Sequence, residues 1–258
     1  MWAFIVMLIA TVCHALPAIA TEKPIVFIVA GQSTSKCGVT NEVPRAALST
    51  PPQLIEYHIV DVDYCETAYR IDSFTQRRHF GPEVRFVQLY AKAHPESEII
   101  LLKIAKNGSG MVRWSPKWPG EYDAWTGDLY RLMVRLVRDA VAGRDVEWGG
   151  LLFVQGENDA AQPERARVYR QNLTRLTARL RRDIGAPAMP VLTSEISPAI
   201  EKYPHQFQVN QGKINTAMTV PGVRVVSNSG LGYREDGVHY TSDAVLSLGA
   251  RFFQVFNQ

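Results

Sequence analysis

The chain has 258 residues, 46% of them hydrophobic and 21% charged, a size and balance that fit one enzyme-sized globular domain and exclude a disordered or low-complexity protein. Its formal net charge of +3 is too small to imply a nucleic-acid or membrane-surface partner. The densest basic stretch, Arg175 to Arg182, alternates with Leu176 and Leu180 at helical spacing and lacks interleaved aromatics, so it reads as a solvated helix face.

The first predicted element is a secretory signal. Residues 1–17 hold no Lys or Arg, run apolar from Trp2 to Val12 and lead to Ala18-Ile19-Ala20, the small-x-small form that signal peptidase accepts. Cleavage after Ala20 is expected, which would place residues 21–258 outside the cytoplasm, secreted or periplasmic, with no stable membrane insertion. An uncleaved anchor is the alternative, although the apolar run is short for a spanning helix. Cleavage removes Cys13 and leaves Cys37 and Cys65, which in an oxidising compartment either bridge or remain two buried thiols.

The remainder alternates strands with helices. Ile25 to Ala30 is a continuous apolar, β-branched run ending at Gly31, as expected of a buried strand that feeds a turn, and Ile99 to Ile104 and Leu151 to Val154 repeat the pattern. Val191 to Thr193 and Val223 to Val226 supply two further short strands. Helices are expected over Pro82 to Ala93, Gly127 to Val141, Pro163 to Ile184 and Ser242 to Phe256, the third stopped by Gly185. Such alternation implies an α/β fold, a mostly parallel sheet with helices on both faces. Ligands then bind beyond the carboxyl ends of the strands, where Ser33, Gly108 and the segment Gln155 to Asp159 all fall.

Those polar segments contain the parts of an ester-cleaving site. A serine hydroxyl needs a base within hydrogen-bond reach, and the base needs a third group to fix its tautomer. Ser33, His239 and Asp236 can fill these roles. Asp236 could instead cap the last helix, and Ser33 could be an ordinary turn residue. Of the six histidines only His239 lies in a D-x-x-H setting, while Gly31-Gln32-Ser33-Thr34-Ser35 is not the G-x-S-x-G elbow of α/β hydrolases. Glu157 and Asp159, close together in one motif, read as loop supports rather than an acid–base pair. Three Trp and one Tyr between Trp114 and Trp125 form either an apolar platform for a sugar ring or a cover for the sheet edge.

Five segments in order carry a family resemblance: Gly31-Gln32-Ser33, then Phe80-Gly81-Pro82-Glu83, then Lys106-Asn107-Gly108-Ser109 with Trp114, then Gly150 to Glu157, then Asp236-Gly237-Val238-His239-Tyr240. Over about residues 24 to 257 the chain resembles the SGNH hydrolase superfamily, and within it the sialate O-acetylesterase-like branch with carbohydrate esterase family six. The resemblance implies a flavodoxin-like three-layer α/β/α sandwich and a serine esterase that removes O-acetyl groups from carbohydrates of the acetylxylan or sialate type, with no metal or organic cofactor. It implies Ser33, Asp236 and His239 as catalytic residues and Gln32 and Trp114 as substrate-binding. The oxyanion hole would use the N–H groups of Ser33 and Gly108 plus a side-chain amide, from Gln155 if the Q-G-E pattern governs or from Asn158 if the G-x-N-D pattern does. Thr34-Ser35 replaces the Asn-Met of many relatives, and Asn107 and Ser109 depart from their Gly-Gly-Thr. A glycan O-acetyltransferase and a carbohydrate-binding protein on the same scaffold are the alternatives.

Overall fold

A computed structural model describes residues 23–63, 69–115, 125–196 and 201–258. The expected signal segment and Cys65 lie outside these residues.

Seven strands form the central sheet. The run Ile25–Gly31 (β1) has no polar side chain and is buried along its whole length, as a strand covered on both faces requires. A two-residue strand Gly38–Val39 (β2) follows, then Leu54–Asp61 (β3), Tyr69–Ile71 (β4) and His79–Phe80 (β5). Helix α1 covers Glu83–Ala93, with Pro82 just before its first residue. Strand β6 is Ile99–Ala105, α2 is the single turn Met111–Trp114, α3 is Asp128–Val141 and β7 is Glu147–Val154. Then come α4 (Pro163–Asp183), β8 (Val191–Ser194), α5 (Gln206–Thr219), β9 (Val223–Val226) and α6 (Ser242–Phe256).

The sheet order is β4-β3-β6-β1-β7-β8-β9, parallel throughout except for the antiparallel β4 at one edge. The small β2–β5 pair is separate and antiparallel. Alternate residues of β1 face opposite layers. Val26, Ile28 and Ala30 pack with α3, α4 and α5, and Ile25, Phe27 and Val29 pack with α1 and α6. Phe27 anchors the second layer through edge-to-face contacts with Phe86 and Tyr90, both at 4.9 Å between ring centroids. The mostly parallel sheet with helices on both faces expected from the alternating pattern, and the three-layer sandwich implied by the resemblance, are present.

From β1 the chain moves outward to β3 and β6 on one side and later to β7, β8 and β9 on the other. The order therefore reverses at β1, and the carboxyl end of β1 is the topological switch point where such sheets open a crevice. Gly31 ends that strand. A Cβ there would come within 2.0 Å of the Val154 carbonyl oxygen on β7, so the close approach of two backbones excludes any larger residue just before the crevice.

Beside the two-residue β2 and β5 and the single turn α2, three larger elements were not foreseen. Strand β3 carries Glu56 and His58, which break the apolar run; both are engaged side by side at 2.7 Å. Strand β4 is short and holds the sheet edge. Helix α5 turns much of its apolar content outward: Phe207 and Met218 are 70% and 77% exposed, while its buried positions include Lys213 and Thr216. The helical apolar stripe that a sequence reader seeks is reversed there.

Candidate active site

Ser33 opens a short 3-10 turn, Ser33–Lys36, immediately beyond β1. Gln32 N–H donates to Val154 O at 3.0 Å, and Ser35 closes the turn by donating its N–H and its hydroxyl to Gln32 O at 3.0 and 2.6 Å. The serine is thereby held half-buried at the switch point. More than two hundred residues later, the segment before α6 brings in the other two groups. His239 Nε2 lies 2.9 Å from Ser33 Oγ, and His239 Nδ1 lies 2.6 Å from Asp236 Oδ2. The carboxylate at Nδ1 keeps the proton on that nitrogen and leaves Nε2 as the acceptor facing the serine.

Asp236 is fixed in turn. Its Oδ1 accepts the N–H groups of Val238 and His239, both at 2.9 Å, in a turn whose Gly237 has φ +65°. The left-handed backbone at Gly237 lets the chain fold the histidine back over its own aspartate. Partial burial pushes the carboxyl up, but the histidine ring and these two N–H groups outweigh it and hold the group at about 2. Asp236 does not cap α6. Thr241 does, accepting Ala244 N–H at 3.3 Å.

Around Ser33 and His239 opens a cavity of about 280 Å³, lined also by Lys36, Val39, Asn107 and Arg234. A second depression, about 390 Å³, runs past Gly108, Gly110, Arg113, Trp125, Asn158 and Arg165. Asn107 and Gly108 form the ridge between them. Among the described residues neither Ser33 N–H nor Gly108 N–H is committed to an acceptor, as donors reserved for a developing oxyanion must be.

The two side-chain amides separate. Gln155 is fully buried, its Nε2 donating to Ser109 O at 3.1 Å and Asp159 Oδ2 at 2.5 Å and its Oε1 accepting from Tyr169 at 3.0 Å. Both ends of that amide are occupied inside the protein, so the reading of Gln155 as oxyanion donor is not what the geometry favours. Asn158 instead lines the second depression, and its Oδ1 accepts from Arg165 at 3.0 Å. An arginine can only donate, so the Asn158 carbonyl must face it and the NH₂ is turned away. Arg165 was missed by sequence reasoning; its place in the first turn of the helix after the Gly156-Glu157-Asn158-Asp159 segment was the available signal.

Trp114 does not line the site. It is completely buried, packed edge-on against Phe153 at 5.6 Å and donating its Nε1 to Ser109 Oγ at 3.2 Å. The sheet-cover reading of the aromatic segment holds for this residue; Trp118 and Tyr122 lie outside the described residues. Among the described residues, Trp125, 56% exposed beneath the Arg113 guanidinium at 5.0 Å, is the aromatic that faces the second depression. Gln32 is also buried, 2% exposed, and its Oε1 accepts Asn158 N–H at 3.4 Å. It braces the site from beneath instead of lining it. Cys37 carries a free thiol directed at Thr34 O, 3.5 Å away, and burial pushes that thiol up to about 12.

Beneath the site lies a charged cluster. Asp159 accepts Met111 N–H through both oxygens, at 3.1 and 2.9 Å, and burial raises its carboxyl to about 6. Glu157, also buried, is raised by desolvation against the pull of Lys213. Lys213 Nζ donates to Gln155 O and Ser194 O, both at 2.6 Å, pinning the ends of β7 and β8 together. The expectation that Glu157 and Asp159 support the loop agrees with these contacts.

A family model described as carbohydrate esterase, sialic acid-specific acetylesterase, matches residues 23–258. The chain belongs to that family. The carbohydrate esterase match spans every segment just described, from β1 to α6. A probable carbohydrate esterase of Arabidopsis thaliana is 25% identical over 182 residues, which cover 68% of this chain and 63% of that protein's length. The crystal structure of an Arabidopsis thaliana protein superposes with a TM-score of 0.69 at 19% identity, covering 91% of this chain and 98% of that one. A carbohydrate acetylesterase from Xanthomonas citri does so with a TM-score of 0.69 at 15% identity, covering 89% and 55%. At such identities the likeness to solved structures establishes the shared fold.

Proposed function

We propose that this chain is an exported serine esterase that removes O-acetyl groups from carbohydrates through an acetyl-serine intermediate. The observation that carries the reading is the continuous hydrogen-bond path from Ser33 Oγ to His239 Nε2 at 2.9 Å and from His239 Nδ1 to Asp236 at 2.6 Å. Ser33 Oγ attacks the acetyl carbonyl while His239 takes its proton, and Asp236 stabilises the imidazolium. The N–H groups of Ser33 and Gly108 and the Asn158 amide receive the oxyanion. Collapse expels the sugar oxygen, which leaves with the proton from His239. Water then attacks the acetyl-serine, gives a proton to His239, and acetate departs as Ser33 recovers its hydrogen.

Membership of the esterase family supports the acetylated-carbohydrate substrate, and the apolar start with Ala18-Ile19-Ala20 supports export. No helix among the described residues is long and apolar enough to cross a membrane. Hydrolysis and acetyl transfer share the first half of this route, so the experiment follows the acetyl group. Wild-type protein is quenched in acid during turnover of an aryl acetate and its peptides are weighed, with and without an added sugar acceptor. The expected result is acetyl on Ser33 alone and free acetate as the product in both arms. Acetylated acceptor in place of acetate would make the protein a transferase, and an unmodified Ser33 during turnover would contradict the covalent route.

A further inference from the structure

The ridge that presents Gly108 N–H is a turn with little packing to hold it. Gly108 has φ +61°, is exposed, and has no atom within 4 Å of where a Cβ would sit. One end of the turn is secured at Ser109, whose carbonyl accepts from Gln155 and whose hydroxyl accepts from Trp114. The other end is held at its base by Lys106 N–H, which donates to Gly31 O at 3.1 Å, and at Asn107 by one carboxylate. Asp63 lies two residues beyond β3, and its Oδ2 accepts Asn107 N–H at 2.7 Å while its Oδ1 accepts Lys106 Nζ at 2.5 Å.

The same carboxylate reaches the nucleophile. Lys36, the last residue of the 3-10 turn that begins at Ser33, donates Nζ to Asp63 Oδ2 at 2.7 Å and to Asp61 Oδ1 at 2.5 Å. Arg77 completes the set on Asp61 Oδ2 at 3.1 Å. We infer that Asp63 is a positioning residue of the esterase site, locking the Asn107–Gly108 turn to the Ser33–Lys36 turn so that the two backbone oxyanion donors keep a fixed separation. Only an ionised carboxylate accepts a peptide N–H and two ammonium groups at once; asparagine retains one acceptor oxygen and loses the charge. Asp63 touches no reacting atom. Its effect runs through Gly108 N–H, and a displacement of about 1 Å in such a donor costs about 10²-fold in rate.

The inference rests on the proposed esterase activity and is tested separately from it. Wild type, Asp63→Ala and Asp63→Asn are assayed on an aryl acetate, with rates expressed per active site from the burst of released phenol, and inhibition by a short alkylboronic acid is measured alongside. Asp63→Ala is expected to lose about 10²-fold in kcat with KM within about twofold, and Asp63→Asn about tenfold. Boronate affinity should fall in step with kcat/KM, because the tetrahedral adduct needs the same donors. A per-site kcat and boronate affinity equal to wild type would overturn the inference, even if the melting midpoint or the titratable fraction fell, since that is the signature of a merely structural ion pair. Inactive wild type would instead remove the esterase reading itself.

Discussion

Replacing Ser33 by alanine should lower kcat for acetate release by about 10⁴- to 10⁶-fold, the range set by serine hydrolases in which the nucleophile acts as one unit with its base. The side chain is half-buried in a short turn and its hydroxyl bonds only toward His239 among the described residues, so the variant should keep the wild-type melting midpoint to within about 0.5 kcal/mol of stability. Activity that persists within tenfold of wild type in a folded Ser33→Ala protein would mean that another group performs the attack.

Lys213→Met is expected to be the most damaging substitution for stability among those away from the reacting atoms, at about 3–5 kcal/mol. The ammonium is fully buried, bridges Gln155 O and Ser194 O, and is the counter-charge that draws down Glu157. Its removal leaves a buried carboxylate facing apolar methionine. Burial also lowers the lysine from its ordinary 10.5 to about 8. Between those two values the unfolded chain holds a proton that the folded chain has released, so stability should rise with pH across that window in wild type and the rise should be absent in Lys213→Met. Asp159 contributes the opposite slope lower down. Its carboxyl is raised from 3.8 to about 6 by burial, so between those values the folded chain binds the extra proton and stability falls as pH rises. Urea unfolding at a series of pH values reads both slopes, and a flat profile from 8 to 10.5 in wild type would show that Lys213 is not strained by its burial.

The sandwich was legible because its central strands are buried on both faces. Ile25–Gly31 and the end of β7 are continuous apolar runs, Ile99–Ala105 is one interrupted only by Lys103, and each is followed by a polar segment that the parallel sheet carries to one edge. Strands β3 and β4 and helix α5 were not, since the half-polar β3, a three-residue edge strand and a helix with Phe207 and Met218 on its outer face carry no clean period. Ser33, Asp236 and His239 could be read from residue type and spacing because their chemistry demands those groups. The side chains that hold them could not: Gln155 and Trp114 sit in motifs that point to the site, yet their roles are decided by which way each side chain turns, and both turn inward. Asp63 and Lys213 act through contacts between segments up to 58 residues apart, a separation at which no local pattern records the pairing.

The central claim is an acetylesterase of carbohydrates, and acetate release tests it most directly. Purified residues 21 to 258 would be given acetylated xylan and O-acetylated sialic acids, with an aryl acetate as the reference ester and Ser33→Ala beside the wild type. The account predicts acetate from the aryl ester and from at least one of the acetylated carbohydrates, and none above background from the variant. Well-folded wild type that releases acetate from neither carbohydrate nor aryl ester would contradict it.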